Sequence, residues 1–108
     1  MNEFTPRTVS FTEAARKDVL WCKLTRDEWQ AIKAEIYRIA AVRNLNADAA
    51  VCKIAQCDGE WWRLKLRDPN VRLAFTVEEN DRALVIRALL RRGERTYDQI
   101  EIIWQAAA

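Results

Sequence analysis

The sequence contains no histidine, only two glycines, two prolines and three cysteines, and no apolar run approaches the roughly 20 residues needed to span a bilayer. The missing histidine removes Ser-His-Asp and Cys-His catalysis and any imidazole general base. Chemistry, if there is any, falls to Lys, Arg, Tyr, Asp or Glu. Cys22, Cys52 and Cys57 offer one C-x4-C spacing and no histidine to complete a zinc site. They read as reduced thiols, buried or half-buried, of a cytosolic protein. So little Gly and Pro leaves no room for linkers or low-complexity tails, and a chain of 108 residues that is 50% apolar and 31% charged is expected to form one domain over residues 1–108. The N-terminal stretch MNEFTPRTVSFTEAARKD has no signal-peptide apolar region, so the expected location is cytoplasmic, with no membrane partner.

The net charge of +2 is unevenly spread. Residues 1–60 hold nine basic and nine acidic residues, whereas residues 61–97 hold nine basic against five acidic. The positive field therefore belongs to the second half.

Residues 7–12, RTVSFT, alternate as a short strand. The spacing of Phe11, Ala15, Val19 and Cys22 then becomes helical. Thr25 with Glu28 fits a capping box, so a second helix should start there, with Trp29, Ile32, Ile36 and Ile39 as its apolar stripe. The two helices read as a hairpin. Residues 44–50, NLNADAA, have loop composition and residues 56–60, QCDGE, a turn composition; AVCKIA between them suits a short strand or an irregular approach. From Trp61 onward the pattern is an antiparallel meander over 61–67, 71–78 and 83–91, joined at DPN and ENDR. TYDQIEIIWQAAA, with Ile100, Ile103 and Trp104 at helical spacing, predicts a short C-terminal helix. The fold class is α+β: a helical hairpin packed on one face of a small, mainly antiparallel sheet.

Side chains alternate along a strand, so the faces can be sorted directly. Trp62, Leu64 and Leu66, then Val71, Leu73, Phe75 and Val77, then Leu84, Ile86, Ala88 and Leu90 form the face the helices should cover. The other face receives Arg63, Lys65, Arg67 and Arg72, then Arg87 and Arg91. Solvated sheet faces usually mix signs, because like charges directly opposite one another destabilise a sheet. The outer-face positions named from 63 to 76 hold four cations and no acid, which points instead to a face that binds a polyanion, Arg offering bidentate contacts to phosphate and Lys a point charge. Of the five tryptophans, Trp29 and Trp62 read as core and Trp21 and Trp104 as helix packing edges. Trp61 shares the parity of the cations and suits either base stacking or an edge contact.

WRLKLRDPNVRLAFTV, residues 62–77, resembles the central hairpin of the RelE toxins, in which a YKIKLR-type strand and a tight turn lead into a YRLVYQV-type strand. Arg63, Lys65 and Arg72 fall on that family's three hairpin cations. LLRRGERTYDQIE is similar to its closing motif, an Arg ahead of a Tyr. The element order fits the RelE/ParE superfamily over nearly the whole chain. The resemblance implies the toxin of a type II toxin-antitoxin pair, an endoribonuclease that cuts mRNA in the ribosomal A site with no metal and no cofactor. Its partners would be a cognate antitoxin, the ribosome and mRNA. In such chemistry the RNA 2′-hydroxyl attacks the adjacent phosphate, leaving a 2′,3′-cyclic phosphate and a 5′-hydroxyl. Lys65 is then the candidate general base, since RelE's first hairpin lysine is replaced by Arg63, and Arg63 and Arg72 are transition-state stabilisers. Arg91 or Arg92 would be a stabiliser or proton donor, and Tyr97 would stack on a base. Arg67, Arg87, Arg95 and Trp61 complete the candidate substrate-binding set. Two alternatives stand beside this reading: a ParE-like inhibitor of DNA gyrase, and a non-catalytic nucleic-acid or protein-binding module on the same fold.

Overall fold

A computed structural model describes residues 4–54 and 61–91. The expected C-terminal helix, the turn at 56–60, Cys57, Trp104, Arg92, Arg95 and Tyr97 lie outside the described residues. The elements run β1 (Thr8–Phe11), α1 (Glu13–Trp21), α2 (Arg26–Ala40), a 3-10 turn (Leu45–Ala47), β2 (Val51–Lys53), β3 (Trp61–Lys65), β4 (Val71–Glu78) and β5 (Ala83–Arg91).

Local chemistry sets the helix starts. The Thr12 hydroxyl accepts from the Ala15 amide at 3.1 Å and begins α1. At α2, Thr25 Oγ1 accepts from the Glu28 amide (3.1 Å) while Glu28 Oε1 accepts from the Thr25 amide (2.9 Å), so both partners of the box are satisfied. Between the helices Lys23 takes a left-handed conformation, φ 49°.

The sheet has five strands in the order β1-β5-β4-β3-β2. The expected three-strand meander is its centre; β1 adds in parallel beside β5, and β2, from the ambiguous AVCKIA stretch, pairs antiparallel with β3. Ala15 from α1 and Ile32, Ile36, Ile39 and Ala40 from α2 join Trp62, Leu64, Leu73, Phe75 and Leu84 in one core cluster, so both helices cover the same face. Trp62 stacks on Phe75 at 6.5 Å, and Phe11 meets Trp29 at 5.9 Å. Each fully buried Ile or Leu there contributes about 1.5–3 kcal/mol of apolar transfer. Trp21, expected at a packing edge, is 84% exposed beside Leu20 at 79%. Cys22 is half-buried, as expected, whereas Cys52 is exposed.

Two departures from strict alternation matter for function. First, β3 ends at Lys65 rather than at residue 67. The Leu66 amide donates to the Val71 carbonyl at 3.0 Å, closing the hairpin early, so Arg67 enters the turn. Second, the β4–β5 register shifts at Ala74/Phe75: Phe75 pairs with Ile86 but Ala74 with Ala88, leaving Arg87 as the extra residue of a β-bulge. Every later side chain of β5 changes sides. Leu89, opposite Leu73, enters the core, while Ala88 and Leu90, expected there, join Ile54, Trp61 and Ala74 in a second small cluster on the outer face. Arg91, expected among the outer cations, pairs with Val71 on the helix side.

The turn from β4 to β5 is held from outside. Glu79, Asn80 and Asp81 all have positive φ (54°, 56° and 70°), a conformation that costs free energy without glycine. Arg7, 4% exposed, donates to Asp81 Oδ1 from Nη2 (2.7 Å) and Nε (3.0 Å), and also to the carbonyls of Val42 and Arg43 just past the end of α2. One buried guanidinium thus fastens the turn to the helix, and nothing in the alternation around Arg7 marks it for that role.

Candidate functional site

Three of the hairpin cations converge where the β3–β4 turn meets the loop before β2. A cleft of about 470 Å³ is lined there, among the described residues, by Ala49, Ala50, Lys65, Arg67, Asn70 and Arg72. Lys65 and Arg72 are direct cross-strand partners. Arg67 and Asn70 reach the same cleft from the turn. Among the described residues no carboxylate forms an ion pair with Arg63, Lys65, Arg67 or Arg72. Placing like charges opposite each other works against the sheet, so the pair is retained at a cost to stability.

Arg72 is 4% exposed. Its Nη1 donates to the carbonyls of Leu66 and Val71, both at 3.3 Å, and to Asn70 Oδ1 at 3.4 Å, while its Nε is buried with no partner. A guanidinium that lines a cleft and has no counter-charge among the described residues is suited to an anionic oxygen. Lys65 is exposed and its side chain is free to reach the same oxygen or its neighbour. Arg63 lies two residues back on the same face, half-buried; its Nη2 is 3.8 Å from Cys52 Sγ, and its Nε also lacks a partner.

The other candidates stand elsewhere. Arg87 donates from Nε to Thr76 Oγ1 (3.0 Å) and from Nη2 to Glu78 Oε1 (3.1 Å), and its guanidinium lies 5.6 Å above the Trp61 ring. Trp61 is 8% exposed and already covered by that cation, so it offers no open platform for a base. Arg91 donates to the Cys22 carbonyl (2.9 Å) and, through both terminal nitrogens, to the Glu28 carboxylate (3.0 and 3.3 Å). The contact holds the Glu28 carboxyl down at about 2, chiefly through the Arg91 hydrogen bond and then the Thr25 amide. Nearby, burial pushes the Asp18 carboxyl up although it accepts from the Leu89 amide (3.2 Å), and burial raises the Cys22 thiol. These groups tie β5 to the helices and stand apart from the cleft.

The cleft wall was not visible in the sequence. Ala49 sits in a stretch legible only as a loop, Ala50 where that loop meets the ambiguous AVCKIA stretch, and Asn70 is legible only as a turn residue. Their part in the site comes from the pairing of β2 with β3, a non-local contact.

No family model matches the chain, and no curated protein matches it. Solved structures do. A free-state arginine-to-alanine double mutant of the toxin RelE from E. coli superposes with a TM-score of 0.71 at 16% identity, over 95% of this chain and 98% of that one. RelE in its complex with RelB from Pyrococcus horikoshii gives 0.64 at 16%, over 83% and 99%. A RelBE toxin-antitoxin complex from Mycobacterium tuberculosis gives 0.54 at 20%, over 82% and 100%. Near-complete coverage of each neighbour with so little shared sequence places the likeness in the backbone: this chain has the RelE fold.

Proposed function

We propose that the chain is the toxin of a type II toxin-antitoxin pair and acts as a ribosome-dependent mRNA endoribonuclease in the cytoplasm. The observation that carries this reading is the acid-free Lys65–Arg72 cross-strand pair at the mouth of a cleft, on a fold shared with RelE. The likeness to chains solved with their antitoxins supports a protein partner of that kind.

Each cation has a task that suits its chemistry. Lys65, the one hairpin amine, takes the proton of the RNA 2′-hydroxyl in its neutral form. The freed oxygen attacks the adjacent phosphate. Arg72, fixed by Leu66, Val71 and Asn70, offers its remaining N–H groups to the pentavalent phosphorane, whose charge exceeds that of the ground state. Arg67 and Arg63 add positive potential along the RNA backbone. The P–O5′ bond then breaks, leaving a 2′,3′-cyclic phosphate and a 5′-hydroxyl. Arg92 as stabiliser or donor to the leaving oxygen, and Tyr97 as stacking partner, complete the set.

The test is to add the protein to translating ribosomes and map the mRNA. Cuts ending in 2′,3′-cyclic phosphate support the reading. Intact mRNA with blocked gyrase supercoiling would replace it with a ParE-like activity, and nucleic-acid binding with neither effect would replace it with a binding module.

A further inference from the structure

A second charged cluster lies behind the cleft and is connected to it by hydrogen bonds. Arg38, in the last turn of α2, binds Asp48 with both terminal nitrogens, Nη1 to Oδ2 at 2.6 Å and Nη2 to Oδ1 at 3.2 Å. Glu35 holds the same guanidinium at Nε, 3.0 Å. Asp48 Oδ1 also accepts from the Ala50 amide at 2.9 Å, and the Ala50 carbonyl accepts from the Lys65 amide at 3.0 Å. Ala49 and Ala50 are the wall of the cleft that faces Lys65 and Arg72. An unbroken chain of contacts therefore runs from α2 through Asp48 and Ala50 to the backbone of Lys65.

We propose that Arg38 and Asp48 form a latch that fixes the 48–50 segment against β3, and that both are positioning residues for Lys65. The proposal rests on the nuclease reading for its catalytic consequence, but its structural half stands without it. The side chain of Asp48 is only 14% exposed and that of Arg38 is 44% exposed. A fork-to-fork pair with one partner shielded fixes direction as well as charge. Its removal loosens a three-residue segment that belongs to no helix or strand, and a small displacement of a base costs far more rate than binding. Neither residue lines the cleft, so the effect belongs in turnover rather than affinity.

The experiment compares the wild-type chain with Asp48→Asn, Arg38→Met and the double variant. Asp48→Asn keeps an oxygen for the Ala50 amide and loses the charge and one of the two acceptors facing Arg38; Arg38→Met keeps the apolar stem. Amide hydrogen exchange is read at Lys65 and, as an internal control, at Leu73 in the sheet centre. The latch predicts exchange at Lys65 faster by roughly tenfold with Leu73 unchanged, kcat for ribosome-dependent cleavage lower by roughly tenfold with KM steady, and a double variant no worse than either single one. Unchanged Lys65 exchange, or equal acceleration at Leu73, overturns the latch. Faster exchange with undiminished kcat overturns the positioning role. Wild-type chain that cuts no mRNA removes the nuclease reading, and the exchange arm still decides the latch.

Discussion

Arg72 and Arg91 are near neighbours in the sheet, since Arg72 pairs with Leu90 and Arg91 with Val71. They face opposite sides. Arg72 lies on the outer face beside Lys65, buried, with no carboxylate partner among the described residues and with an unpaired Nε. Arg91 lies on the helix face, its charge matched by Glu28 and its Nε spent on the Cys22 carbonyl. One extra residue, Arg87, separates the two outcomes. What distinguishes a cation available for phosphate from one that staples a helix is the partner set, and residue type alone does not reveal it.

The largest effect expected from that comparison is catalytic. Arg72→Ala should lower mRNA cleavage on ribosomes by about 10²–10³-fold, the scale of losing one preorganised donor to a transition-state anion. Arg91→Ala should leave the rate within about threefold, because a residue outside the site contributes no differential binding there. Equal losses in the two variants would mean that Arg91 leaves Glu28 and joins the cleft when RNA binds.

Next in size is a test of the bulge by stability. Leu89 is fully buried opposite Leu73, and Leu90 is half-buried on the outer face. Leu89→Ala should therefore cost about 2–5 kcal/mol in urea unfolding, and Leu90→Ala clearly less. The reverse order would restore the unbroken alternation and return Arg91 to the cationic face.

The smallest effect concerns acid. The folded Glu28 carboxyl titrates at about 2 against an ordinary 4.5, so its pairing with Arg91 favours the folded state above about pH 4.5 and is lost as pH falls towards 2. Because the pair is partly open to solvent, the difference in urea midpoint between the wild-type chain and Arg91→Ala should be slight near neutral pH and vanish at about pH 2. A difference that grows on acidification would contradict the pairing.

Much of the arrangement was legible because it is local. The Thr25–Glu28 box, the Ile32, Ile36 and Ile39 stripe, the three central strands and the alternation of Arg63 and Lys65 with Trp62 and Leu64 all follow from spacings of two to four residues. So does the cross-face position of Arg72. The pieces that escaped depend on distant partners. A bulge has no fixed composition, and the switch of Ala88, Leu89 and Leu90 shows only when β4 lies beside β5. The burial of Trp61 under Arg87, the Arg7 clamp on Asp81 and the cleft wall at Ala49 and Ala50 each join segments more than ten residues apart. The cations were visible as a set; their division into free and paired members was not.

The central claim is that the Lys65–Arg72 cleft cuts RNA through the 2′-hydroxyl. The most direct test adds the wild-type chain or Lys65→Ala, each confirmed folded by its thermal midpoint, to translating ribosomes and identifies the ends of the mRNA fragments. Wild-type protein should give 2′,3′-cyclic phosphate ends that all but disappear with Lys65→Ala, whereas cleavage by Lys65→Ala at the wild-type rate, or fragments with ordinary 3′-hydroxyl ends, would contradict it.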